Sequence, residues 1–369
     1  MHDEEDDSWS NLAEGDVTLL TVVKIILLAQ YVRILEYGLR SLEIHAMFGE
    51  IEPILLLVVF ESHDGLQASP CSVMSIQMSI QILLPCIPYP SLKLLRLKRL
   101  AWMFYYSDGS KLFYTALGGG PAVVLLHPTP VDHRFWLPVA EILKAKYRVI
   151  VPDLRGHGQS EAGEGPITVE KLAADAGRLL DDLQLGKALF AGCSIGGYTL
   201  YEIWRTMPSR VEGLAFCCAK PQADTEAARA KREETIAKIR ERGTAEFIES
   251  NLETLIGATA RRRWPEKIAE AREMMQAVPA ESMVAVQQGL AARPDSVVTA
   301  RTLRAPCCVI AGGEDAGSTP ADMRLLTEQI RNGGYGAEYN EIPDAGHFAP
   351  FEQPELVARI LRRFFDSVI

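Results

Sequence analysis

The residues best suited to chemistry lie in Gly192-Cys193-Ser194-Ile195-Gly196-Gly197. This is Gly-x-Ser-x-Gly, set between an apolar strand and a helix. A serine there sits on a tight strand-to-helix turn with strained backbone angles. Small residues on either side let chain segments pass closely. The hydroxyl then projects above the sheet beside a helix N-terminus, where partial positive charge favours anions. The chemistry this suits is nucleophilic attack.

A serine hydroxyl needs a base, and the base needs a group to orient it. Pro343-Asp344-Ala345-Gly346-His347 follows the last predicted strand. A histidine on that loop can reach across the top of the sheet, so His347 is the candidate base. The acid is expected upstream of it. Asp315, in Gly312-Gly313-Glu314-Asp315 after the predicted strand Cys307–Ala311, is favoured. Glu314 is its local competitor and Asp344 a weaker one. Asp224, after the preceding strand, is the other placement. A tetrahedral intermediate also needs two backbone N–H donors. Ile195 supplies one. Thr129, in His127-Pro128-Thr129-Pro130, supplies the other, because prolines cannot donate. His127 reads as a structural hydrogen-bonding residue.

Regular elements must hold these loops in place. From Met103 onward the pattern alternates strand and helix, which argues for a mostly parallel sheet covered by helices. Met103–Tyr106 and Leu112–Ala116 flank Asp108-Gly109, a hairpin signal. Ala122–Leu126, Arg148–Val151, Ala188–Ala191, Val211–Cys218, Cys307–Ala311 and Ala337–Ile342 read as strands. Helices are predicted over Phe135–Ala145, Val169–Leu183, the stretch from Gly192 to about Thr206, Ala321–Ile330 and Pro354–Phe365. The alternation breaks between Pro221 and Ala300, which are helical in composition. These residues form an insert between the sixth and seventh strands of an eight-stranded sheet.

The first 102 residues differ from the rest. They carry 7 Lys/Arg and 13 Asp/Glu, so most of the net charge of −10 lies here. They are also very apolar, with runs at Val17–Leu35, Ile54–Phe60, Ile76–Leu84 and Leu92–Leu100. The acidic start after Met1 is unlike a secretory signal. Lys24 interrupts the longest run short of the ~20 apolar residues of a membrane span. Membrane association through an interfacial helix is the less favoured reading. The favoured one is an extension, residues 1–102, dispensable for chemistry.

The composition of the 369 residues is ordinary for a globular chain, at 48% hydrophobic and 23% charged, which excludes wholesale disorder. The acidic balance excludes a basic nucleic-acid footprint. Seven irregularly spaced cysteines exclude a disulfide scaffold, and no spacing suggests zinc. Cys217-Cys218 and Cys307-Cys308 read as buried free thiols, which favours a reducing, cytoplasmic compartment.

Residues 103–369 resemble the α/β-hydrolase superfamily, and within it most the 3-oxoadipate enol-lactonases, small carboxylesterases and non-metal perhydrolases. The carrying residues are His127–Pro130, Asp153-Leu154-Arg155-Gly156-His157-Gly158-Gln159-Ser160, the segment around Ser194, Gly312–Asp315 with Pro320, and Gly346-His347. The order Ser194, Asp315, His347 is the order expected of that fold. The resemblance implies that Asp153–Ser160 is a fixed turn and that His157 is structural. It implies no cofactor and no metal. Pro128 stands where these relatives often have glycine. Epoxide hydrolases and haloalkane dehalogenases of this fold carry Asp at the position of Ser194.

The expectation is therefore a hydrolase of a small ester or lactone working through an acyl-enzyme. The same triad used for perhydrolysis or C–C bond hydrolysis is the second reading, and a non-catalytic ligand-binding module the third. The insert, residues 221–300, resembles the cap of this family. Phe247, Trp264, Met274, Met275 and Met283, with Trp136 beyond the Thr129 loop, are candidates to line an apolar pocket, or else pack the cap's own core. Arg261-Arg262-Arg263 and Glu233–Arg242 read as solvated charge.

Overall fold

The computed structural model describes residues 103–369, together with the backbone of 56–61 and 77–82. The chain divides into two compact units, Met1–Leu95 and Arg96–Ile369. In the first, β1 (Leu56–Glu61) pairs antiparallel with β2 (Gln77–Ile82), from Leu56 opposite Ile82 to Glu61 opposite Gln77. The apolar runs Val17–Leu35 and Leu92–Leu100 lie outside the described residues. Among the described residues no helix is long and apolar enough to cross a membrane.

The second unit is built on one sheet. Its strands are β3 (Met103–Ser107), β4 (Ser110–Leu117), β5 (Ala122–Leu126), β6 (Arg148–Pro152), β7 (Ala188–Cys193), β8 (Val211–Cys217), β9 (Cys307–Gly312) and β10 (Ala337–Ile342). Their spatial order is β10-β9-β8-β7-β5-β6-β4-β3. β4 runs against both neighbours, and the other pairs are parallel. The β3–β4 turn takes Asp108 at φ 49° and Gly109 at φ 73°, the left-handed pair that a two-residue hairpin requires. The eight mostly parallel strands agree with the expectation from sequence.

Both faces of the sheet are covered, so the central strands are apolar without alternation. All five residues of β5 are buried. Val123 and Leu125 face α1 (Leu137–Leu143) and α12 (Pro354–Asp366), through Val139, Leu143, Val357 and Leu361. Val124 and Leu126 face α2 (Val169–Asp182), α3 (Ile195–Thr206) and α10 (Pro320–Asn332), through Leu172, Leu200 and Leu326. Helix starts are capped from the sequence. Thr168 and Thr319 side chains accept from the third N–H of α2 and α10, and Asp322 completes a capping box.

Six helices fill the chain between β8 and β9: α4 (Glu226–Arg242), α5 (Ala245–Leu255), α6 (Ala258–Arg263), α7 (Pro265–Gln276), α8 (Ala280–Ala291) and α9 (Val297–Thr302). The remaining short helix, α11 (Ala349–Glu352), precedes α12. Ile236, Ile239, Ile248, Leu252, Met274 and Met275 join the same apolar cluster as Val123 and Leu125. The insert is thus continuous with the core rather than a separate body. The exposed remainder of α4 agrees with the solvated face read from Glu233–Arg242.

The turn after β6 is a polar knot. Asp153 accepts from the backbone and ring N–H of His133 (both 2.7 Å) and from Gln159 N–H (2.9 Å). Arg155 is buried and forks onto Asp175 (2.6 and 3.0 Å), with further bonds to Ser110 Oγ and the Ser107 carbonyl. Gly158 turns at φ 52°, and a Cβ there would lie 2.2 Å from Asp153 Oδ2. Gly158→Ala combines a left-handed backbone with a clash into a buried carboxylate. It is expected to lower the unfolding free energy by about 1–3 kcal/mol. Gly186→Ala, where a Cβ meets nothing within 4 Å, is expected to stay within about 0.5 kcal/mol of wild type. Urea denaturation of the two variants checks this contrast.

Candidate active site

The sheet order reverses at β5. The chain leaves β5 for β6 on one side and returns to β7 on the other. Loops following β5 and β7 therefore diverge to opposite faces and leave a crevice at the strand ends, where ligands bind in open α/β sheets. Leu126 at the end of β5 pairs with Gly192 in β7. A Cβ on Gly196 would lie 2.3 Å from the Leu126 carbonyl oxygen. Only glycine lets the start of α3 come so close to the end of β5.

Ser194 stands at this crossing with φ 52° and ψ −118°. Holding a non-glycine residue there costs about 1–3 kcal/mol. The turn is pinned on both sides. Ser194 N–H donates to the Cys217 carbonyl at 3.0 Å, and Tyr198 N–H donates to the Ser194 carbonyl at 2.8 Å. The half-buried Ser194 side chain makes no cap bond to its own helix.

His347 and Asp315 meet on the loops after β10 and β9. His347 Nδ1 lies 2.7 Å from Asp315 Oδ2. Asp315 Oδ1 accepts from the N–H groups of Gly317 (2.7 Å) and Ser318 (3.1 Å). Burial alone would raise the Asp315 carboxyl. The charge and hydrogen bond of His347, with the Ser318 and Gly317 N–H groups, outweigh it and hold the carboxyl below its ordinary value. An ionised carboxylate cannot donate, so the bridging proton sits on Nδ1, and in the neutral form of the ring Nε2 is then an acceptor. Nε2 has no partner among the described residues. The Cys193 thiol donates to the His347 carbonyl at 3.4 Å, which sets the His347 backbone against the residue preceding Ser194.

The competing carboxylates are engaged elsewhere. Asp224 pairs with Arg232 and, at 3.2 Å, with Arg293. Glu314 accepts from the backbone N–H and hydroxyl of Thr259 in the insert. Asp344 is exposed and lies 3.3 Å from Arg263. Of these carboxylates, Asp315 alone contacts the histidine.

The two candidate backbone donors are also brought to this end of the sheet. Ile195 N–H heads α3, and Thr129 N–H lies on the loop after β5. Neither finds an acceptor among the described residues. The Thr129 loop is held by two neutral histidines. Leu154 N–H donates to His127 Nε2 at 2.8 Å, so His127 Nδ1 carries the proton given to the Pro128 carbonyl. His157 Nδ1 donates to the Arg155 carbonyl, and its Nε2 accepts from Thr129 Oγ1, both at 2.9 Å. Burial lowers the pKa of both rings, that of His157 to about 4. Their contacts match the structural roles read from sequence.

Of the pocket candidates, Trp136, Met274, Met275 and Met283 are buried in the one apolar cluster that also holds Cys218 and Phe348. Phe247 and Trp264 are half-buried against it. Arg261, Arg262 and Arg263 are exposed. Among the described residues two triplets bring potential metal ligands within 4.8 Å, Cys218–Asp315–His347 and Asp132–His133–Asp153. In each triplet a histidine–aspartate bond already occupies two of the three groups. Cys217, Cys218, Cys307 and Cys308 are free and buried, as read, and so is Cys193. The sequence reading did not single out Cys218 or Glu352 beside the histidine. For Glu352 a signal exists, an acidic residue five positions after His347 amid apolar neighbours. Cys218 carries none.

A 3-oxoadipate enol-lactonase from Acinetobacter baylyi is 28% identical over 256 residues, covering 67% of this chain and 90% of the relative. The structure of a thermophilic esterase from Thermogutta terrifontis is 33% identical, with a TM-score of 0.68 over 72% of this chain and 97% of that one. The enol-lactonase of Burkholderia xenovorans is 28% identical, with a TM-score of 0.66 over 72% of this chain and 100% of that one. The profile of the alpha/beta hydrolase family matches residues 123–360, and this chain belongs to that family.

Proposed function

We propose that the protein hydrolyses a small ester or lactone through a Ser194–His347–Asp315 triad. One observation carries the reading: a buried histidine, oriented by an ionised aspartate, stands at the end of the sheet that holds a serine in a strained elbow. The similarity to an esterase and to enol-lactonases supports it.

Ser194 Oγ attacks the carbonyl carbon as His347 Nε2 takes its proton. The carbonyl oxygen becomes an oxyanion, received by the N–H groups of Thr129 and Ile195. The strained elbow spends folding energy to keep Oγ clear of its own helix. His347 then gives its proton to the leaving alkoxide. An ester releases an alcohol, whereas a lactone ring opens and its hydroxyl stays on the acyl chain. Water, deprotonated by His347, attacks the acyl-enzyme; the Ser194 Oγ–acyl bond breaks, Oγ takes the proton back from His347, and the carboxylic acid is freed. Asp315 keeps the imidazole in one tautomer and stabilises the imidazolium.

Residues 103–220 and 301–369 form the catalytic core in this reading, residues 221–300 the cap, and residues 1–102 stand outside the chemistry. Met274, Met275 and Met283 of the cap, with Trp136 of the core, are the proposed apolar wall of the site, and Phe247 and Trp264 pack at the edge of their cluster. That lining favours an uncharged acyl chain.

Hydrolysis of short-chain p-nitrophenyl esters and simple lactones tests the proposal. Ser194→Ala and His347→Ala are each expected to lower kcat by about 10⁴–10⁶-fold in a folded protein. Asp315→Asn is expected to cost about 10³–10⁴-fold, by letting the imidazole adopt the wrong tautomer. Retained hydrolysis in Ser194→Ala sinks the proposed nucleophile.

Asp315 also links stability to pH. A carboxyl held below its ordinary value of 3.8 contributes stability that is present above that pH. The contribution is lost as pH falls below 3.8 through the depressed folded value. Asp315→Asn should therefore be less stable than wild type at neutral pH and lose less stability on acidification below pH 3.8. Denaturant midpoints measured from neutral pH downward check both signs.

A further inference from the structure

Glu352 is the last residue of α11, and its side chain runs back under the histidine loop. It is 1% exposed. Oε1 and Oε2 both accept from Gly346 N–H at 3.0 Å, and Oε2 also accepts from Gly257 N–H at 3.0 Å. Gly346 directly precedes His347. Gly257 lies in the cap, on the turn between α5 and α6. One carboxylate thus joins the backbone beside the histidine to the cap.

The same cap turn holds both loops of the candidate triad. Phe348 N–H, just after the histidine, donates to the Leu255 carbonyl at 3.1 Å. Glu314, just before Asp315, binds Thr259. The two loops are also tied to each other, through Glu314 N–H and the Ala345 carbonyl at 2.8 Å. The fit at Gly257 is close, since a Cβ there would lie 2.6 Å from Gly346 N and 2.9 Å from Glu352 Oε2.

We propose that Glu352 is a positioning residue for His347, a buried clamp through which the cap turn at Gly257 sets the histidine's place relative to Ser194. This rests on His347 acting as the base. The choice of an acid here is costly. Burial pushes the Glu352 carboxyl up to about 7, although the N–H groups of Gly346, Gly257 and Phe348 pull it down; Glu314 adds to the rise. A glutamine of nearly equal size avoids that cost. It has one acceptor oxygen, however, and would turn an NH₂ toward a backbone N–H. Oε2 alone faces both donors and Oε1 shares that of Gly346, so the carboxylate presents only acceptors where a glutamine would set an NH₂ against the Gly346 N–H.

Glu352→Gln in the full chain separates positioning from plain stability. Misplacement of a catalytic group by less than an ångström is expected to lower kcat by roughly 10–100-fold with KM within about twofold. The low-field proton resonance of the His347–Asp315 hydrogen bond should shift or broaden in the variant. A purely structural Glu352 would lower the melting temperature and leave kcat and that resonance as in wild type, which overturns the proposal. Gly257→Ala keeps the carboxylate but presses the cap turn off it. It should show the same loss in kcat, and decides the matter if Glu352→Gln does not fold; wild-type kcat in folded Gly257→Ala also overturns the clamp. Ser194→Ala measured alongside tells the two ideas apart. Its inactivity beside a fully active Glu352→Gln rejects the clamp alone, whereas its activity rejects the triad on which the clamp rests.

Discussion

The structure turns on the parallel pairing of β5 with β7. Because β5 is also paired with β6, the order in which strands are added reverses there, and the chain supplies a crevice without any special device. Leu126 opposite Gly192 fixes which residues flank it. A slip of one residue would reverse the faces of every side chain in β7 and bury the wrong ones. The register is therefore enforced by the two apolar clusters, one on each face of the sheet. The position of Ser194 against Thr129 follows from packing tens of residues away.

Burial sets the second constraint. Loops at this end of the sheet lie under the cap, so their polar groups cannot rely on water. The Thr129 loop is supported by His127 and His157, both kept neutral by burial. Asp153 and Arg155 meet the same demand one layer further out, with Asp175 and His133 as partners. The histidine loop draws on unlike donors and acceptors: the Cys193 and Cys218 thiols on the Gly346–His347 carbonyls, and Glu352 on the Gly346 N–H. Removing the side chain at any of these places would strand its buried partner, which costs more than the bond itself.

Much of this was readable in the sequence, for a physical reason in each case. Ala122–Leu126 is bounded correctly because a strand covered on both faces is a short apolar run, and Ala337–Ile342, a partly exposed edge strand, because Gly336 and Pro343 mark its ends. Strands β7 and β9 run slightly further than expected, since small Gly192 and Gly312 continue a strand as well as they end one. Helix α1 starts two residues late because His133–Phe135 form a 3₁₀ turn, capped by Asp132, that spacing alone does not distinguish. The pairing of Asp315 with His347 was legible as chain order and loop position. Contacts across the cap were not. Whether Met274 or Phe247 is buried depends on how one helix sits on another, which no periodicity within a single helix specifies.

The source of the carboxylate opposite His347 follows from what the neighbouring strand end carries. β8 ends beside β9, so a residue just past either strand can approach the histidine. Past β8 that residue is Cys218, at φ 48°, with its thiol within 4.8 Å of both Asp315 and His347. The Cys193 side chain beside it pulls this thiol down, but burial and the nearby Asp315 outweigh that and raise it, so it remains protonated and donates to the Gly346 carbonyl. A neutral thiol cannot orient an imidazole as a carboxylate does. Asp224, six residues on, is drawn away by Arg232 and Arg293 at the root of the cap, where Arg293 also stacks on Tyr198 at 3.9 Å. The β8 end thus spends its acid on holding the cap and its thiol on holding the loop. The task of fixing the histidine falls to the end of β9, where the Gly317 and Ser318 N–H groups make an ionised aspartate tolerable in a buried place.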